Sequence, residues 1–257
     1  MPRTSKFLRH ESCPECGSSD ALAIYDDGGE HCFGAGCDYH VNGNSGMTTE
    51  TQLPKATALH MGGVVAAIPQ RRISQDTCGR FGVTIEYSTT GEILKHYYPY
   101  YNVNTGDLSA AKVRDVQTKN FYSTGDPSDV GFFGQKQCTN NKYLTITEGE
   151  LDALSVYEMF GKQYDVVSLR AGANNAAKEI KAQLEWLETY ENVVLCFDND
   201  KAGEAALDSV KDLFSPNKLK ICRLPMKDAS EMLMANKVKE FVQAWWNAKV
   251  YRPDGIV

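Results

Sequence analysis

Lys142–Leu154, KYLTITEGELDAL, most constrains what this chain can fold into. Tyr143–Thr147 is a β-branched and aromatic run, the composition of a buried strand. It breaks at Glu148-Gly149-Glu150, and Leu151 onwards has the apolar spacing of a helix, over Leu151–Phe160. The alternation then repeats. Asp165–Leu169, Asn192–Phe197 and Leu219–Leu224 read as strands; Asn175–Tyr190, Ala202–Phe214, Ala229–Ala235 and Val238–Ala248 read as helices. Strands alternating with helices predict an α/β fold with a parallel sheet covered on both faces. In such sheets chemistry collects at the carboxyl ends of strands.

Acids stand at those ends. Glu148 follows the first strand, and by itself it reads equally as a helix-start acid or as a ligand. Asp198-Asn199-Asp200 follows the third strand and opens the next helix. If the two strands are neighbours, three carboxylates converge. Their repulsion is removed by a divalent cation, and oxygen ligands suit Mg²⁺ or Mn²⁺. Asp228, after the fourth strand, is either a helix N-cap or a further metal ligand. Glu150 and Asp152 read as surface acids or as support for the cluster.

The N-terminal region has a different signature. Cys13-x₂-Cys16 and Cys32-x₄-Cys37 are separated by fifteen residues, with a strand–turn–strand pattern over Leu22–Phe33 between them. Two knuckles at this spacing supply four thiolates for a tetrahedral Zn²⁺, a zinc ribbon over residues 1–41; His31 or His40 is an alternative ligand. A ribbon this small needs its metal to fold. The first residues carry basic side chains but no apolar segment of a signal peptide, and no apolar run approaches a bilayer span, so a cytoplasmic setting with reduced cysteines is expected.

Residues 42–63, rich in Gly, Thr, Asn and Ser, read as a flexible linker. Residues 64–141 open with a helix at Ile73–Phe81, capped by Ser74, and continue as an antiparallel meander: Val83–Tyr87, Ile93–Tyr101, Ala110–Val116. Tyr97, Tyr98, Tyr100 and Tyr101 serve packing or, alternatively, stack on bases. Alternation puts Lys112 and Arg114 on one face, with Lys119 just beyond; they either bind phosphate or protect a sheet edge. The whole chain has a net charge of −6, but residues 51–147 hold ten basic and seven acidic side chains, a local +3. Residues 148–257 hold fourteen basic and eighteen acidic, a local −4. A basic middle beside an acidic C-terminal part suits phosphate next to carboxylate-held cations.

The acid–glycine pair Glu148-Gly149 after one strand and Asp198-Asn199-Asp200 after another resemble the Toprim domain of bacterial-type primases, topoisomerases and some nucleases. With the four-cysteine ribbon, linker and basic meander in front, the layout resembles a DnaG-type DNA primase. It is closest to the primase half of short-tailed bacteriophage primase–helicases; TEGELD, KVRD, KDA and the terminal PDGIV stand where that family has equivalents. The chain departs from the family in its wider second knuckle and in one extra residue after Val116.

The resemblance implies short RNA primers made on single-stranded DNA from ribonucleoside triphosphates. It assigns catalysis to Glu148, Asp198 and Asp200 around Mg²⁺, joined by Asp228, and nucleotide or DNA binding to Lys112, Arg114 and Lys119. Template recognition falls to the ribbon. A replicative helicase, fused or associated, and a DNA polymerase are the implied partners, no membrane is involved, and the setting is an infected bacterial cell. It implies a Toprim subdomain over 142–250 and, at 251–257, the start of a connector to a helicase domain. A Toprim nuclease and a non-catalytic ribbon adaptor that loads a helicase are the rival readings.

Overall fold

The computed structural model describes residues 6–18, 20–34, 37–41, 58–139 and 141–252. Most of the expected linker, residues 42–57, and the terminal PDGIV lie outside the described residues. The chain divides into two units, residues 1–55 and 56–257.

The first unit is a four-stranded antiparallel sheet in chain order: β1 (Phe7–Glu11), β2 (Leu22–Tyr25), β3 (Glu30–Cys32) and β4 (His40–Val41). Its apolar core is small, with Leu22 buried against Cys13 and Cys32. Phe7, Leu8 and Phe33 remain exposed.

The second unit opens with residues 58–63 laid against a sheet. His60 exchanges hydrogen bonds with the Thr124 hydroxyl, and the Gly62 carbonyl accepts from Thr84. Helix α1 (Gln75–Phe81) is capped by the Ser74 side chain, which accepts the Thr77 N–H, and closes on Gly82 at φ 70°, a left-handed turn that favours glycine. An antiparallel meander follows: β5 (Thr84–Tyr87), β6 (Ile93–Tyr101), β7 (Leu108–Asp115) and β8 (Phe121–Gly125). Strand β8 goes beyond the sequence expectation, because its first residues are exposed and leave no buried alternation to read. Tyr97, Tyr98 and Tyr100 are almost wholly buried, so packing, not base stacking, is their use.

The C-terminal part is a five-stranded sheet in the order β10-β9-β11-β12-β13. Strands β9 (Tyr143–Thr147), β10 (Asp165–Ser168), β11 (Asn192–Cys196) and β12 (Leu219–Ile221) are parallel; β13 (Lys249–Val250) adds an antiparallel edge. Side chains alternate across it. Leu144, Ile146, Val193 and Leu195 face the layer of α3 (Ala176–Ala182), α4 (Leu184–Leu187) and α5 (Lys201–Val210). Val194 and Cys196 face α2 (Glu150–Met159), α6 (Ala229–Met234) and α7 (Val238–Trp246), and this second layer packs on the meander through Phe133, Tyr98 and Tyr100. The helix expected over Asn175–Tyr190 is broken at Gln183 (φ −113°, ψ 13°), with no proline or glycine to announce it. Among the described residues no helix is long and apolar enough to cross a membrane.

Candidate active site and metal centre

Strands β9 and β11 are direct parallel neighbours, with Cys196 opposite Thr147. That register sets Glu148 beside Asp198, and Glu148 Oε1 accepts the Asp198 backbone N–H at 3.0 Å. Asp200 is the N-cap of α5, where its Oδ1 accepts from Ala202 N–H at 2.9 Å and Gly203 N–H at 3.0 Å. Asp228 caps α6 through the Glu231 N–H at 2.7 Å. Its capping role is therefore realised, and its second oxygen stays in reach of the cluster. Asp152, from α2, accepts the Ser230 N–H at 2.9 Å.

Lys227 joins these acids. Its Nζ lies 3.2 Å from Asp198 Oδ2, 3.7 Å from Asp200 Oδ2 and 3.9 Å from Asp228 Oδ2. Sequence reasoning gave it no role; the Lys-Asp-Ala run after β12 was the available signal. Gly203 was missed as well. A Cβ there would stand 2.1 Å from the Asp198 carbonyl oxygen and 2.7 Å from Glu148 Oε1, so only glycine lets α5 begin this close to both acids.

The environment separates the acids electrostatically. Burial, then the neighbouring Asp198, pushes Glu148 up to about 7. Burial and Asp228 push Asp152 up to about 8. Asp198 is also raised by burial, against the pull of Lys227. Asp200 is lowered, chiefly by the Gly203 N–H. A set of crowded carboxylates, all oxygen donors, with an ammonium already among three of them, has the chemistry to hold a hard divalent cation.

The basic residues separate. Lys112 Nζ lies 2.8 Å from Glu150 Oε1 and donates to the Arg170 carbonyl at 2.7 Å. Glu150, expected at the surface or as support for the cluster, is only 3% exposed, because Lys112 and the Tyr100 hydroxyl, at 2.6 Å, supply its partners inside the protein. Arg114 lies on the same face as Lys112, both over the Phe121 ring at 5.7 Å and 4.8 Å. Lys119 is exposed in the turn before β8, at φ 61°.

In the N-terminal unit the ligand sulfurs of Cys13, Cys16, Cys32 and Cys37 all lie within 4.8 Å of one another. Cys13–Cys37 and Cys16–Cys32 are separated by 3.7 Å and 3.6 Å. Zn–S bonds of about 2.3 Å in a tetrahedron require sulfur–sulfur edges of about 3.8 Å, so the wider second knuckle closes a site of the right size. Burial and its neighbouring thiols push Cys32 up to about 12. His31 and His40 pair across β3 and β4 and are not part of this cluster.

Acids at the ends of two neighbouring parallel strands, with a Cys₄ cluster in a separate unit, are the arrangement expected of a Toprim sheet preceded by a zinc ribbon. The Toprim-like family matches residues 145–233. The primase fragment of the bacteriophage T7 primase–helicase is 31% identical, with a TM-score of 0.68, over 94% of this chain and 100% of that one. The T7 primase domains solved with lagging-strand DNA polymerase, an RNA/DNA hybrid and dTTP are 34% identical, with a TM-score of 0.66, over 73% of this chain and 93% of that one. The DNA helicase/primase of Enterobacteria phage T3 is 32% identical over 98% of this chain. The chain belongs to the Toprim primase family of the phage primase–helicase type. It spans 46% of the length of the T3 relative.

Proposed function

We propose that this chain is a DNA primase that makes short RNA primers on single-stranded DNA from ribonucleoside triphosphates. The observation that carries the reading is the convergence of Glu148 with Asp198 and Asp200 at the ends of two adjacent parallel strands. Membership in the primase family supports it. In this reaction a ribonucleotide 3′-hydroxyl attacks an α-phosphate, a new P–O bond forms, and pyrophosphate leaves with the broken one. Glu148, Asp198 and Asp200, with Asp228 beside them, are the residues that would hold Mg²⁺ or Mn²⁺. The bound metal supplies charge that lowers the pKa of the attacking hydroxyl and neutralises the triphosphate.

The chain's own residues preorganise the site. The Asp198 N–H fixes the Glu148 carboxylate, and the first turn of α5 fixes Asp200, so ligands need little rearrangement on loading. Arg114 and Lys119, with Lys112 behind them, supply positive charge for triphosphate or template. The Cys₄ cluster would hold structural Zn²⁺ and, with exposed Phe7 and Leu8 on β1 and Phe33 just after β3, would read unstacked template bases. The linker expected over residues 42–63 would tether it to the polymerase part. A replicative helicase, attached or associated, and a DNA polymerase are the partners; similarity to a phage helicase/primase and to primase domains solved with lagging-strand DNA polymerase supports both. The setting is the cytoplasm of an infected bacterium.

The test is primer synthesis from labelled ribonucleotides on a library of single-stranded DNA templates with Mg²⁺. Template-dependent oligoribonucleotides are expected. Their absence, with cleavage of the DNA instead, would overturn the reading in favour of a nuclease.

A further inference from the structure

Lys227 reaches the acids from the loop between β12 and α6. Its ammonium is shared by three carboxylates from two loops: Asp198 and Asp200 after β11, and Asp228 before α6. The root of the side chain is fixed, because the Lys227 carbonyl accepts the Asn199 N–H at 2.7 Å. The side chain itself is 50% exposed, so its tip can leave for water without disturbing the core. An ammonium and a divalent cation repel, and both need the same carboxylate oxygens. They therefore compete for this place.

We propose that Lys227 is a tethered competitor of the metal. It neutralises the carboxylate cluster in the metal-free protein and is displaced when Mg²⁺ enters together with a nucleoside triphosphate. The proposal rests on the metal reading given above. It makes the metal-free enzyme a deliberately weak Mg²⁺ binder. The negative triphosphate favours the state in which the ammonium has left the acids, so triphosphate and Mg²⁺ strengthen each other's binding reciprocally. A site built this way loads its metal with its substrate rather than ahead of it.

The experiment measures Mg²⁺ binding to the full chain by calorimetry, and by competition against Mn²⁺ followed by electron paramagnetic resonance. It compares the wild type, Lys227→Met, Lys227→Arg and Asp198→Ala. Removing a like charge this close to the cation should tighten Mg²⁺ binding to Lys227→Met on the order of tenfold. Lys227→Arg should stay within about twofold of wild type, because it keeps the charge. Metal-free Lys227→Met should melt below wild type and gain more from added Mg²⁺. A non-hydrolysable nucleoside triphosphate should tighten Mg²⁺ binding more in wild type than in Lys227→Met. Equal or weaker Mg²⁺ binding by Lys227→Met would overturn the competition. If Asp198→Ala binds Mg²⁺ as wild type does, the metal assignment itself fails, which separates the two failures.

Discussion

The Glu148 carboxylate accepts the backbone N–H of Asp198 at 3.0 Å. The bond crosses between neighbouring parallel strands fifty residues apart in sequence. It converts two strand ends into one rigid corner, since the acid of β9 cannot turn away without freeing a donor of the loop after β11. It also charges the corner, because it holds Glu148 close to Asp198 in a partly buried place.

Gly203 is the third side of that corner. Gly203→Ala forces a methyl group onto the Asp198 carbonyl and Glu148, and backbone must move. A destabilisation of about 1–3 kcal/mol is expected, as for other overpacked sites. Primer synthesis should fall further than stability does, because the displaced atoms belong to the proposed metal ligands Glu148 and Asp198. Denaturant melts and turnover on one template would measure both; wild-type behaviour in both would show that α5 has room this geometry denies.

Asp198→Ala should abolish primer synthesis while the fold persists. Burial and the neighbouring acids raise the Asp198 carboxyl despite Lys227, so its removal relieves the metal-free state. The melting temperature without metal should match or exceed wild type, and the Mg²⁺-induced rise should vanish. A folded variant with full activity would remove Asp198 from catalysis.

Much of this was readable in the sequence, for a physical reason. Strands β9, β10 and β11 are buried on both faces and so appear as apolar runs, and the acids that follow β9 and β11 stand out against them. What escaped depends on distant partners. Glu150 could not be told from a surface acid or a support for the cluster, because Lys112 and Tyr100, which bury it, come from the meander. Gly203 carries no local sign of the Glu148 carboxylate it approaches, and the Lys-Asp-Ala run gives Lys227 only Asp228 as a local partner, not the distant Asp198 and Asp200. The break at Gln183 and the short edge β13 lack breakers or periodicity.

Metal binding should follow Glu148 in its pH dependence. In the metal-free fold Glu148 is raised from its ordinary 4.5 to about 7. Between those values the folded protein holds the proton more tightly than the unfolded chain does. This group's contribution to stability is therefore present at low pH and lost as pH rises through 7. Mg²⁺ needs the ionised form, so its apparent affinity should climb from pH 5.5 to 7.5 and level off above. Calorimetry across that range should give a flatter profile for Glu148→Gln; an unchanged slope would assign the proton elsewhere.

Cys16→Ser should release zinc. Three thiolates and a hydroxyl do not reproduce the four-sulfur tetrahedron, and a core as small as Leu22 with its two cysteines does not hold the first unit without metal. Zinc content by atomic absorption should fall, the first unit should become protease-sensitive, and template-directed initiation should end. Retained zinc at one ion per chain would point to a replacement ligand such as His31 or His40.

Lys112 and Glu150 form a nearly buried pair, with side chains 18% and 4% exposed. Lys112→Met leaves the Glu150 charge inside the protein with, among the described residues, the Tyr100 hydroxyl as its side-chain partner, and should cost about 3–5 kcal/mol. Lys112→Met with Glu150→Gln removes both charges and should recover most of that loss, the signature of a coupled pair. The double variant then isolates any direct role of the ammonium with substrate. If its stability returns and its nucleotide KM stays raised, Lys112 also binds phosphate. If stability and KM return together, Lys112 acts only as the strut that ties the meander to α2.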